Sequence, residues 1–199
     1  VRDVRRAGDG VGARAVGELA KFELNDFGNA MRLILSVGGT INDQGDVAIA
    51  GATLLYLGEA GWIGWNGRFW DLKLGARLAQ RIAHQVAANL AAQVPTWCDN
   101  GHDKRAAWTF ARSAGNAGSI TAMLRVAEAY LQVDLDAFDR DPQAITVQNG
   151  TLRLERVAGD GMLTRFSPHD PRDRITRMAA VDYDPTATAP IWAEKVAFW

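Results

Sequence analysis

The chain has a single cysteine, Cys98. No internal disulfide can form, and the usage suits a reducing compartment. Histidine is almost as scarce, with His84, His102 and His169 far apart in sequence. A structural zinc site takes four Cys or His ligands, and Cys98-Asp99-Asn100-Gly101-His102 supplies one thiol and one imidazole. The acidic run Asp134, Asp136, Asp139, Asp141 lacks the glycine and the glutamate at the sixth and twelfth places of a calcium hand, and reads as a solvated turn. No metal ligand is assigned. A basic surplus is missing too: 22 Lys and Arg against 23 Asp and Glu leave a net charge of −1, so any polyanion contact must come from a local patch. No apolar run approaches the roughly 18 residues of a membrane span, and no secretory signal is visible. A soluble, cytoplasmic protein with no membrane partner is expected.

Several chemistries lack their motif. There is no G-x-x-x-x-G-K-[ST] loop, and Gly8-Asp9-Gly10-Val11-Gly12 has neither the lysine nor a preceding strand. No G-x-S-x-G occurs, and Ser36, Ser113, Ser119 and Ser167 have no neighbouring base to nominate them. No catalytic residue is assigned, and no cofactor is expected in this chain.

What is present reads as an α+β fold: about three central helices packed with small antiparallel hairpins. Asn25 or Asp26 caps a first helix with Phe27, Met31 and Ile34 or Leu35 on one face, ended by Gly38-Gly39. Asp46–Ala50 and Thr53–Leu57 are strand-prone, and Asn66-Gly67 turns a hairpin inside Gly61–Trp70. From Gly75 to Val94 the set Leu78, Ile82, Val86, Leu90 repeats every four residues, with His84 on the polar face near Arg77 and Arg81. Pro95 is expected to close that helix. Asp103–Ala114 and Ser119–Val133 follow as helices, the latter burying Ile120, Met123, Leu124, Ala127 and Leu131. Ile145 and Val147, then Leu152 and Leu154, alternate with polar residues about Asn149-Gly150, which predicts a positive-φ turn pair. An exposed loop is expected at Val157–Gly161, and Pro190 opens a last helix.

Two clusters are candidates for contact with a ligand. Lys104, Trp108 and Arg112 stand at i, i+4, i+8 with Arg105 alongside, a cationic helix face carrying an indole that fits a phosphate backbone and a stacked base. The competing possibility is an inward Trp108 beside Phe110 or Ala111, with merely solvated cations. Trp62, Trp65 and Trp70 offer an aromatic platform; the alternative is a small sheet gaining core volume from large side chains. Arg2, Arg5 and Arg6 form a polar arm that either touches phosphates or stays mobile.

Read in order, several stations resemble one family. Asn25-Asp26-Phe27-Gly28-Asn29-Ala30-Met31-Arg32-Leu33 is similar to its N-D-x-G-N-A-x-R-L opening, and Trp62–Trp70 to its W-hydrophobic-x-W-[DN]-G-x-x-W hairpin. Ala111-Arg112-Ser113 with Ser119–Leu124, the Val147–Leu154 hairpin, Pro168-His169-Asp170-Pro171 with Ile175-Thr176, and Val181-Asp182-Tyr183-Asp184-Pro185 continue the pattern. Pro190-Ile191-Trp192 closes it. The family is the pre-helicase domain of phage-, plasmid- and poxvirus-type DNA primase–helicases, and the likeness runs from Asn25 to Trp199, with residues 39–52 as an insertion.

The resemblance implies a connector between an amino-terminal primase and a carboxy-terminal superfamily 3 helicase. Such a collar acts in DNA replication through ring assembly and DNA contact. Expected partners are DNA, bound weakly by the domain alone, the adjoining primase and helicase domains, and further copies in a ring. ATP and Mg belong only to the helicase domain. The expected layout is an amino-terminal segment at 1–24, the connector at 25–186, and at 187–199 the start of a helix leading to the helicase. The chain begins at Val1 and ends on Ala197-Phe198-Trp199, and reads as a piece of a longer protein. Two readings from other classes stand beside this one: a free-standing enzyme with a polar site, and a ligand-stacking module on the Trp hairpin.

Overall fold

The structure, a computed structural model, describes residues 22–99, 103–157 and 161–198. The arm with Arg2, Arg5 and Arg6, nearly all of the 1–24 segment and His102 lie outside the described residues. Asn25 caps the first helix, α1 (Asp26–Ser36), its Oδ1 accepting the Gly28 amide at 2.8 Å. Ala30, Met31, Leu33 and Ile34 form the buried side of α1. Phe27, expected on that face, is instead exposed and meets the ring of Tyr130 edge-on at 6.2 Å. Gly28 takes the inward place of the first turn, where any Cβ would run into the Glu23 carbonyl.

Past α1 the chain makes a small two-stranded ribbon, β1 (Thr40–Ile41) and β2 (Val47–Ala48), tied at its turn by Asn42 Oδ1, which accepts the amides of Gln44 and Asp46. An antiparallel meander follows: β3 (Leu54–Tyr56), β4 (Trp62–Trp65) and β5 (Trp70–Asp71). Trp65 pairs with Trp70 across a loop of residues 66–69. Asn66 Oδ1 accepts the amides of Arg68 and Phe69, and Gly67 supplies a φ of 96°. The turn is therefore longer than a two-residue one.

Three helices come next: α2 (Leu72–Asp99), α3 (Lys104–Ser113) and α4 (Ala117–Leu131). With α1 they enclose one apolar core, and the α+β class holds. The buried stripe of α4 is Ile120, Met123, Leu124, Ala127 and Leu131, as its periodicity predicts. α2 runs through Pro95 instead of stopping there. Pro95 and Ala91 are both exposed, so water can reach the carbonyl whose intrahelical donor proline removes. Beyond it Trp97 is fully buried, against Phe110 and beneath the Arg32 guanidinium, and this packing holds the last turn. Gly75 is the point of closest approach between α2 and the meander: a Cβ there would lie 2.6 Å from the Ile63 nitrogen and nearer still to the Trp62 carbonyl.

The last sheet is a meander of β6 (Ala144–Val147), β7 (Gly150–Arg156) and β8 (Met162–Ser167). Its first turn is Gln148-Asn149, not Asn149-Gly150: Val147 pairs with Gly150, and neither Asn149 nor Gly150 has positive φ. Asn149 is committed elsewhere. Its carboxamide donates to the Tyr183 carbonyl and accepts the Tyr183 amide, each at 2.9 Å, clamping the 181–185 segment to the turn. Gly150 is needed for space, since a Cβ would meet the Phe166 ring and the Ser167 carbonyl at 2.5 Å. A short helix, α5 (Pro190–Ala197), ends the described chain with Ile191, Trp192 and Val196 exposed.

Candidate nucleic-acid interface

Asp103 fixes the start of α3, its Oδ1 accepting the Ala106 amide at 2.8 Å. At about 100° per residue, Ala107, Ala111 and half-buried Phe110 turn to the core, against α2. Lys104, Trp108, Arg105 and Arg112 occupy the outer quadrant, and all four are exposed. Trp108 keeps 40% of its surface, so its indole points outward and not toward Phe110. None of the three cations carries an ion pair among the described residues, where pairing involves Arg140, Arg153, Arg165 and Arg172.

The tryptophan hairpin divides differently. Trp70 is 2% exposed; its Nε1 donates to the Pro171 carbonyl at 2.8 Å and its ring packs on Phe138. It is a core residue and cannot offer a ring face, which corrects its place in the expected platform. Trp65 is half-buried and leans on Trp70 at 6.0 Å, while Trp62 is half-buried and edge-on to Tyr56 at 5.2 Å. The large rings here chiefly fill volume.

Other sequence stations are also joints. Arg32 is 1% exposed, donates to the Phe22 and Glu23 carbonyls and to Asn29 Oδ1, and lies over the Trp97 ring. Burial pushes its pKa down to about 10. It is out of reach of any phosphate. Asp170 accepts the Arg172 side chain and amide, shaping the 171–173 turn whose Pro171 carbonyl receives Trp70. Arg172 holds the Asp170 carboxyl below its ordinary range, and hydrogen bonds from Thr186 do the same for Asp184. A general acid needs the opposite direction. Among the described residues no three His, Cys, Asp or Glu side chains converge on a metal position, and no helix is long and apolar enough to cross a membrane.

A family model described as D5 N terminal like matches residues 47–197. The chain belongs to the D5 N-terminal-like family. That family is the pre-helicase domain of phage, plasmid and viral primase–helicases. No curated protein matches the chain. In this D5 N-terminal-like domain the match takes in the tryptophan hairpin, α2 to α4, the last sheet and α5, and starts after the Asn25–Leu33 station. It also covers residues 47–52, part of the segment expected to be an insertion.

One surface of the D5 N-terminal-like domain escapes the motif reading. Lys73, Arg77, Arg81 and His84 are all exposed along one side of α2. The signal for it was like charge recurring at i, i+4, a spacing that helix surfaces ordinarily fill with opposite signs.

Proposed function

We propose that this domain is a non-catalytic connector of a primase–helicase, contacting DNA through the outer face of α3. The observation that carries the reading is the company Trp108 keeps: an indole 40% exposed, flanked by Lys104, Arg105 and Arg112 without acidic partners among the described residues. Base stacking on an aromatic ring combined with backbone contact by cations is how proteins hold single strands without reading sequence. Family membership supports the setting, since primase–helicases work on DNA during replication. Ring assembly is part of the same proposal. Its support is α5, whose Ile191, Trp192 and Val196 are exposed apolar residues that association would cover. ATP and Mg belong, on this reading, to a helicase domain, and a ring would multiply a weak DNA patch by avidity.

Fluorescence anisotropy with labelled single strands at several salt concentrations tests the DNA contact. Trp108→Ala is expected to weaken binding by about 1–3 kcal/mol with the salt slope unchanged. Arg112→Ala is expected to flatten that slope by about 0.7. If both variants fold and bind as the parent does, the α3 face is solvated surface and the reading fails.

A further inference from the structure

α2 carries a run of like charge that forms no ion pair among the described residues. Between Leu72 and Cys98 there is no Asp or Glu, although acidic residues match basic ones over the whole chain, 23 to 22. Lys73–Arg77 and Arg77–Arg81 are like-charge pairs at i, i+4, which repel on a helix surface. They also sit in the amino-terminal part of the helix, with Lys73 in the first turn, where the macrodipole is positive and disfavours cations. Asp71 caps the helix, its Oδ1 accepting the Lys73 amide at 2.8 Å, and offsets the dipole at that end. The like-charge repulsion is not relieved by pairing: none of the three has an ion pair among the described residues. The opposite side of this stretch is fixed, because Gly75 rests on the Trp62 carbonyl and Leu78 lies against Gly64. That contact holds Lys73, Arg77, Arg81 and His84 on the open side, where all are exposed. Beyond His84 the outer face turns neutral at Ala88, Ala91 and Ala92, so the charged stretch has a defined end.

We propose that this stripe is a second backbone track for nucleic acid, separate from the α3 face. The inference rests on the DNA-contact reading above and adds a site to it. Successive cations step about 6 Å along the axis, and Lys73 to His84 spans about 16 Å. One strand of a duplex presents a phosphate about every 3.4 Å of axis, so that span meets several phosphates at once. A compact anion reaches one or two of these groups, whereas a strand reaches all of them. Gln80 is exposed on the same side, at i+3 from Arg77 and i−4 from His84, but the cations themselves contact phosphate, and those contacts carry no sequence preference.

The test is anisotropy on the whole chain with a labelled 20-nucleotide strand and the matching duplex, across a salt series. Parent protein is compared with Arg77→Gln/Arg81→Gln, with Arg77→Lys/Arg81→Lys, and with Lys104→Gln/Arg105→Gln/Arg112→Gln on α3. The α2 Gln pair is expected to flatten the slope of log affinity against log salt by about 1.4 on the single strand or about 1.8 on the duplex. The Lys pair should keep the parent slope, and both should melt at or slightly above the parent. A Gln pair with the parent slope overturns the α2 track, and leaves the α3 reading standing if the α3 variant loses binding. Loss in the α2 variant alone supports the track and overturns the α3 face. A parent that binds neither nucleic acid at 50 mM salt overturns both.

Discussion

Gly75→Ala separates helix propensity from packing, because the two act in opposite directions. In an exposed helix interior the change stabilises by about 0.8–1.0 kcal/mol. At position 75 the new methyl would lie 2.6 Å from the Ile63 nitrogen and closer to the Trp62 carbonyl, where ordinary contact begins at 3.4 Å. Both obstacles are backbone, so no rotamer change can absorb them. Relief requires α2 and β4 to part by about an ångström, which also loosens Leu78 from Gly64. Overpacking of this kind costs about 1–3 kcal/mol and occasionally more, and a backbone-against-backbone clash belongs at the upper end. Subtracting the propensity gain leaves a net loss of about 2 kcal/mol. For a domain of this size that lowers Tm by about 4–8 °C. Gly118→Ala is the control: it lies in the first turn of α4 with nothing within 4 Å of a new Cβ. It should gain about 0.4–1 kcal/mol. Circular dichroism melts of the three proteins suffice. A Gly75→Ala protein melting at or above the parent, with Gly118→Ala behaving as stated, would refute the close approach of α2 to β4.

Gly150→Val should destabilise by more than about 1 kcal/mol through its clash with Phe166 and Ser167; an unchanged melting curve would show that β7 and β8 are not packed as described. Trp70→Phe removes the 2.8 Å bond to Pro171 along with buried ring volume. A loss of about 1–3 kcal/mol is expected in urea unfolding, and Trp62→Phe, at a half-buried site, should cost clearly less. Asp170 has a folded pKa below 3.8, lowered first by the hydrogen bond from Arg172. Its contribution is thus fully present above about pH 4 and lost as pH falls through the lower folded value. Asp170→Asn should make the fall of Tm below pH 4 shallower, and an identical acid slope in the two proteins would contradict this role.

Helix periodicity was the most legible part of the sequence. Ile120, Met123, Leu124, Ala127 and Leu131 are buried as a stripe because packing and the 3.6-residue repeat agree there. Where local rules and tertiary contacts disagreed, the contacts prevailed. Pro95 fails to stop α2 because Trp97 is anchored beyond it. Asn149-Gly150 reads as a turn pair from local chemistry alone, yet Asn149 is drawn to Tyr183, 34 residues away, and that bond is invisible to any short window. The outward face of Lys104, Arg105, Trp108 and Arg112 was legible as spacing, but the burial that turns Trp108 outward depends on the alanines opposite meeting the core. Trp70 illustrates the limit: three tryptophans in one hairpin look alike in sequence, and only the arrival of Pro171 and Phe138 singles one out for burial.

That arrival has a consequence for the order of events during synthesis. The indole of Trp70 finds its acceptor 101 residues downstream, and the Trp70 amide finds the Ile175 carbonyl later still. At about 5–20 residues per second, the ribosome leaves the hairpin waiting about 5–20 s for its cover. During that interval α2 to α4 can collapse on local contacts, while one of the largest rings of the core stays partly wet. The nascent chain therefore passes through a stage with a formed helical body and an open aromatic seam, which closes only when the 170–176 segment emerges.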